Sequence, residues 1–248
     1  MLTPDLWYTY WTQRYTYDDR VDWIEYQKNE SEALHYAVQE GITLVPITRD
    51  LLAINPDLIA MLASWRHEAK DAYPADPATV DAESYAKWLD ISYFPYPRVI
   101  YLIYPEGQLF AGHPIGHMGF RLDRESWPRC ELDGILRGWP DGKGSMSRTY
   151  DMLTRMVRPN SWVVHPKPGN TVAQAWYAKL GFEFVPGKHS HLYPNSCWEM
   201  EARLLSDSVE NLMYPAEPAP KKDEPIQGSG TAVWNALYGA VTGEESCQ

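Results

Sequence analysis

Cysteine is scarce. The 248 residues hold three, Cys130, Cys197 and Cys247, with no CxxC pair. An odd, scattered set argues against a disulfide framework and against a cysteine-based zinc site, and makes a reducing compartment, the cytoplasm, the expected setting. Long apolar runs are missing too: no stretch of 18 apolar residues occurs, so no membrane span is expected. The start, MLTPDLWYTY, lacks the basic-then-apolar layout of a secretory signal. Cations are short, 22 Lys and Arg against 33 Asp and Glu, for a net charge of −11. Such a chain repels phosphate backbones, which argues against duplex nucleic acid as a partner. Phenylalanine is rare as well, 5 residues against 11 Trp and 17 Tyr. Tyr and Trp bury an apolar body while their polar atoms need partners, so this bias puts rings at core edges and at surfaces that touch something.

What remains is ordinary globular composition, 44% hydrophobic and 22% charged, at a length that supports one core plus a small appendage. Residues 1–41 read as an aromatic arm. Trp7, Tyr8, Tyr10, Trp11, Tyr15, Tyr17, Trp23 and Tyr26 crowd it without a sustained period of 2 or 3.6, so an irregular segment is expected, then a short helix over 31–40 stopped by Gly41. Residues 42–205 read as the main domain. Strands are expected over 42–47, 98–104, 115–122, 131–136, 161–165, 182–185 and 197–204. Helices are expected over 56–69, with Asn55 as N-cap, and over 82–89, 146–157 and 171–180. The order β-α-α-β-β-β-α-β-α-β-β predicts an α/β domain on one mixed central sheet. Residues 206–230, rich in Pro, Gly and charge, read as a linker. In 231–248, Val233, Trp234, Leu237 and Val241 mark a short amphipathic segment that docks on its own domain or on a partner.

Two motifs carry chemistry. One is Asn170-x-x-Ala173-x-x-x-Tyr177-x-Lys179-x-Gly181-Phe182, a helix with Gly181 placed to end it. The other is the loop Asp141-Gly142-Lys143-Gly144-Ser145-Met146, after a strand and opening a helix, where backbone N–H groups and the helix dipole favour an anion. On the strand before it, Glu131 and Asp133 alternate with Leu132 and share a face, so either is a candidate general base, directly or through water. His113 and His117 flank the preceding strand; a His is a plausible base near neutral pH, but i and i+4 in a strand stand about 13 Å apart, too far for a metal pair. His189 and His191 have no cysteine or carboxylate ligand beside them, and no metal is expected.

The first motif resembles the last helix and strand entry of the GNAT N-acetyltransferases, usually N-x-x-A-x-x-x-Y-x-K-x-G-F, and the element order matches that fold from about residue 42 to 204. The resemblance implies acetyl-CoA as co-substrate and a primary amine, on a small molecule or a protein, as acceptor. It implies that Asn170 contacts the pantetheine or phosphate arm and that the Tyr177 hydroxyl protonates the leaving thiolate. It further implies that backbone groups of Ile135 and Leu136 pair with pantetheine, and that Gly142, Lys143, Gly144, Ser145 and Met146 wrap the pyrophosphate. The family's loop reads Q/R-x-x-G-x-G/A. Here Asp141 brings a negative charge and Met146 brings bulk where the backbone must approach the ligand, while Lys143 offers a compensating cation. Trp65-Arg66 resembles a pair found near the acceptor groove of some amine-acetylating members. A second reading stays open: a degenerate GNAT-fold interaction protein, for example a phage virion or internal component, with weak or no CoA binding and with its arm and C-terminal segment used for assembly.

Overall fold

Runs of β-branched and aromatic residues pair into one eight-stranded sheet of order β1-β2-β3-β4-β5-β6-β8-β7. The strands are β1 (Ala37–Gln39), β2 (Ile42–Pro46), β3 (Arg98–Pro105), β4 (Gly116–Leu122), β5 (Arg129–Arg137), β6 (Ser161–Val164), β7 (Glu183–His189) and β8 (Trp198–Arg203). β1 to β5 form an antiparallel run; β5 and β6 are parallel, and β8 returns between β6 and β7. This is a computed structural model, and it describes residues 17–29, 37–39, 41–72, 80–105, 113–124, 127–139, 144–157, 159–189 and 198–203. The linker and segment expected over 206–248 lie outside the described residues, as do Asp141, Gly142, Lys143 and His191.

Alternation along the strands sorts side chains onto two faces. One face carries Leu44, Tyr101, Met118, Phe120, Leu132 and Trp162 and packs against helices α1 (Tyr17–Asn29), α5 (Ser145–Val157) and α6 (Thr171–Lys179). The other carries Val45, Ile100, Leu102 and Leu136 under α2 (Arg49–Ile54), α3 (Asp57–Glu68) and α4 (Ala82–Trp88). A π-turn over Leu89–Tyr93 follows α4. Beyond Leu102 and Leu136 this second face turns polar, and the site lies there.

Three expectations need correction. The arm is not irregular throughout, because 17–29 is helical. Tyr17, Val21, Ile24 and Lys28 follow a 4-3-4 spacing, but Lys28 occupies a core position, so the apolar stripe breaks where a period is sought. Residues 37–39 are an edge strand rather than the end of a helix: Ala37 pairs with Leu44, and Gly41 (φ +83°) makes the hairpin turn. Asn55 does not cap α3. Thr48 caps α2 through a 3.0 Å bond from Leu51 N, and the Asn55 N–H closes α2 on Leu51 O at 3.1 Å.

Candidate functional site

The central feature is where β5 and β6 part. Their ladder holds Arg129, Cys130 and Glu131 against Ser161, Trp162 and Val163, and stops there. β5 runs on to Arg137. Its pairing with β4 jumps from Gly119↔Asp133 to His117↔Leu136, so one extra residue bulges at Gly134, where φ is +57°. The bulge changes the parity of the strand. Ile135 packs toward the α5 face, and Leu136 enters the α3 core.

His117 holds the bulge. Its Nδ1 donates to the Gly134 carbonyl at 2.5 Å, and the Trp65 ring stacks on the imidazole at 6.4 Å. Burial, only partly offset by that bond, pushes the His117 pKa down to about 4 and leaves a neutral ring. Gly138 exists for the same packing: a Cβ there would meet Trp65 Cε2 at 2.1 Å. Trp65 is therefore buried against β4 and β5. His113 is exposed and stacks on Trp139.

Beyond the core, strand parity lines up charged groups on the α3 face. Arg121 binds Glu131, Arg98 Nε lies 3.2 Å from Asp133 Oδ2, and Arg129 donates to Glu199 at 2.7 Å. His165, directly after β6, joins them: Nδ1 is 3.1 Å from Glu131 Oε1 and Nε2 is 3.6 Å from Glu199 Oε2. Burial would raise the Glu131 pKa, but the His165 hydrogen bond and the Arg121 charge outweigh it, so the carboxyl stays below its usual value and ionised. Glu131 and Asp133 do share a face, and each is already held by an arginine. Sequence reasoning missed His165 and Arg121. The available signal was parity, since Ser161, Val163 and His165 alternate with the core residues Trp162 and Val164.

The remaining expected residues fall around the gap. Gly144, in the left-handed region at φ +83°, leads into α5 with open space where a Cβ would stand. Ser145 is fully buried in the first turn of α5, and Met146 is half-buried against the α5-face core. No acidic residue sits in that first turn. Asn170 Oδ1 caps α6 by accepting from Ala173 N at 3.1 Å. Tyr177 is buried in the α5-face core with its ring 5.6 Å from that of Phe182, on the face of the sheet opposite Glu131 and Asp133. Among the described residues no cluster of His, Cys, Asp and Glu has the form of a metal site, and no helix is long and apolar enough to cross a membrane.

Solved structures share this architecture. A probable acetyltransferase of the GNAT family from Chromobacterium violaceum ATCC 12472 superposes with TM-score 0.55 at 13% identity, over 71% of this chain and 94% of that one. A GCN5-related N-acetyltransferase from Brucella melitensis gives 0.54 at 11% identity, over 71% and 81%. The microcin C7 self-immunity acetyltransferase MccE, solved with acetyl-CoA and AMP, gives 0.51 at 16% identity, over 67% and 94%. No family model and no curated protein matches the sequence. At these identities the likeness establishes the fold, and the chain has the α/β GNAT fold.

Proposed function

We propose that this protein transfers an acetyl group from acetyl-CoA to a primary amine. The observation that carries the reading is the parting of β5 from β6 after Glu131, with the bulge at Gly134 and the start of α5 close behind it in the chain. β5 runs on past the end of its ladder with β6, and an extended ligand with amides of its own, as pantetheine has, fits along that edge of the strand. Ile135 and Leu136 lie on that stretch, and Asn170 opens α6, which follows β6 in the chain. The N-terminus of α5, entered through Gly144, Ser145 and Met146 with Gly142 and Lys143 just before, supplies positive potential for the pyrophosphate. Glu131 and Asp133, on the α3 face, are the candidate bases that assist deprotonation of the ammonium, directly or through water. The Tyr177 phenol protonates the departing thiolate, its O–H being the donor. Most of the rate comes from holding amine and thioester together and from backbone polarisation of the thioester.

One observation favours the second reading, an interaction protein of this fold with weak or no CoA binding. Met146, packed at the head of α5, puts a long side chain where the family has Gly or Ala. Calorimetric titration with acetyl-CoA separates the two. Acetyl transfer requires saturable heat, followed by release of CoA thiol when glycinamide, spermidine or a lysine-containing peptide is added. A flat titration at millimolar acetyl-CoA refutes it and leaves the interaction protein.

A further inference from the structure

We infer that His117 and Asp133 are positioning residues that together fix the bulge at Gly134, and through it aim the stretch of β5 that receives acetyl-CoA; the inference rests on the acetyl-transfer reading. Both backbone groups of Gly134 are held by side chains. Its N–H donates to Asp133 Oδ1 at 2.8 Å, and its carbonyl accepts from His117 Nδ1 at 2.5 Å. A carbonyl can only accept, so Nδ1 carries the proton of that bond. Beneath the bulge lies Ile100, whose Cδ1 would stand 2.8 Å from a Cβ at Gly134. The residue is thus clamped at its N–H, at its carbonyl and on its underside.

The clamps are themselves held. The His117 ring is buried, with the Trp65 ring stacked on it, and Nε2 has no hydrogen-bond partner. A leucine would fill that space without burying an unpartnered nitrogen, so packing alone gives no reason for an imidazole there. What the imidazole adds is the bond to Gly134. Asp133 has its second oxygen 3.2 Å from Arg98 Nε, and the Arg98 guanidinium lies 5.8 Å from the centre of the Trp88 ring at the end of α4. Of the two candidate bases, Asp133 is therefore the one whose carboxylate is committed to the bulge.

The consequence follows from peptide geometry. The Gly134 carbonyl and the Ile135 N–H belong to one planar trans peptide, so they point in opposite directions. The bond that fixes the carbonyl on His117 therefore also aims the Ile135 N–H. Ile135 lies on the stretch of β5 past its ladder with β6, where the ligand's amides are received. Small errors of aim at such a place are expensive in rate, because preorganised backbone groups act only where they point.

The test compares wild type with His117→Asn, His117→Leu and Asp133→Asn. Asparagine brings a side-chain N–H to the place of Nδ1; leucine fills the space and brings no donor. A packing role predicts that activity follows stability, with leucine at least as stable and as active as asparagine. Positioning predicts the opposite order of activity. With acetyl-CoA and the best amine of the set above both saturating, kcat should fall about 100-fold in His117→Leu and less than about tenfold in His117→Asn, whatever the order of their Tm values. Asp133→Asn keeps an oxygen for the Gly134 N–H but cannot take up a proton. Its kcat near pH 7 should stay within about tenfold of wild type, where loss of a base costs about 100-fold or more. A His117→Leu rate within about threefold of wild type, or rates that follow Tm, overturns the part given to His117. A loss of about 100-fold in Asp133→Asn makes that carboxylate the base and overturns its part. If wild type binds no acetyl-CoA in calorimetry, the acetyl-transfer reading falls instead.

Discussion

Lys28 offers the sharpest test of how the N-terminal helix is held. Its side chain is fully buried, yet every ammonium proton has a destination. Nζ donates to the Phe94 and Tyr96 carbonyls at 2.8 Å each and pairs with Glu25 at 2.7 Å. The Tyr93 ring lies 5.9 Å away. Replacing Lys28 with Met keeps the volume and removes the donors. Hydrogen bonds from a charged group contribute about 1.5–3 kcal/mol each, and a buried carbonyl left without a partner costs about 1–3 kcal/mol. Against that stands the relief of no longer desolvating an ammonium. The balance is a loss of about 3 kcal/mol, which in a domain of this size lowers Tm by about 6–12 °C. Thermal unfolding followed by circular dichroism reads it directly. If Lys28→Met is as stable as wild type, desolvation wins and the argument for a clamp fails.

The same residue fixes the sign of a pH effect. Burial, more than Glu25 can offset, lowers the Lys28 pKa below 10.5. Between that lowered value and 10.5 the unfolded chain binds more protons than the folded one, so stability rises with pH across the window. This is the reverse of a lysine whose pKa a partner has raised. The deficit of Lys28→Met should therefore widen as pH climbs toward 10.5, and a deficit that narrows there would contradict the assigned direction.

Two further perturbations probe the site. Gly134→Ala forces a left-handed backbone on a residue with a Cβ, and that Cβ would meet Ile100 Cδ1 at 2.8 Å. About 2 kcal/mol of stability should go, with acetyl-CoA affinity falling further as the bulge shifts, and an unchanged variant would show that the bulge does not order the strand. Glu131→Gln strips a buried partner from Arg121 and His165 and should cost about 3 kcal/mol at neutral pH. Because the folded carboxyl sits below its ordinary value of 4.5, the contribution is complete above 4.5 and is lost as pH falls through the folded value; urea titrations should show the wild-type advantage vanish in acid, and an advantage that persists there would refute the pairing.

How much of this could be read from the chain depends on whether the deciding force is local. β3, with its apolar run, and α6, ended by Gly181 at φ +88°, declare themselves through short-range pattern. The Asn170–Phe182 spacing therefore pointed to the right fold. α1 was hidden because its core position 28 is filled by a lysine whose partners are 66 and 68 residues away. Gly41 could be read as a helix stop or a hairpin turn, and pairing of Ala37 with Leu44 decided it. In the site, shared parity of Glu131 and Asp133 was visible, but their arginines come from other strands, so their engagement was not. His165 looked like the end of a short strand; only the return of β8 beside β6 brings Glu199 to it.

On the proposed acetyl-transfer reading, the sheet also separates the two proton transfers that the reaction needs. The polar ladder from Arg121 to Glu199 occupies the α3 face, while Tyr177 lies in the helix-covered core of the other. Alternation along β5 and β6 enforces this division, because Cys130, Leu132, Trp162 and Val164 fill one side and Glu131 and His165 the other. A proton leaving the amine is taken up on the ladder side, and a proton reaching the thiolate comes from the phenol side. That reading therefore assigns the proton acceptor and the proton donor to opposite faces of the sheet, with the paired strands β5 and β6 between them.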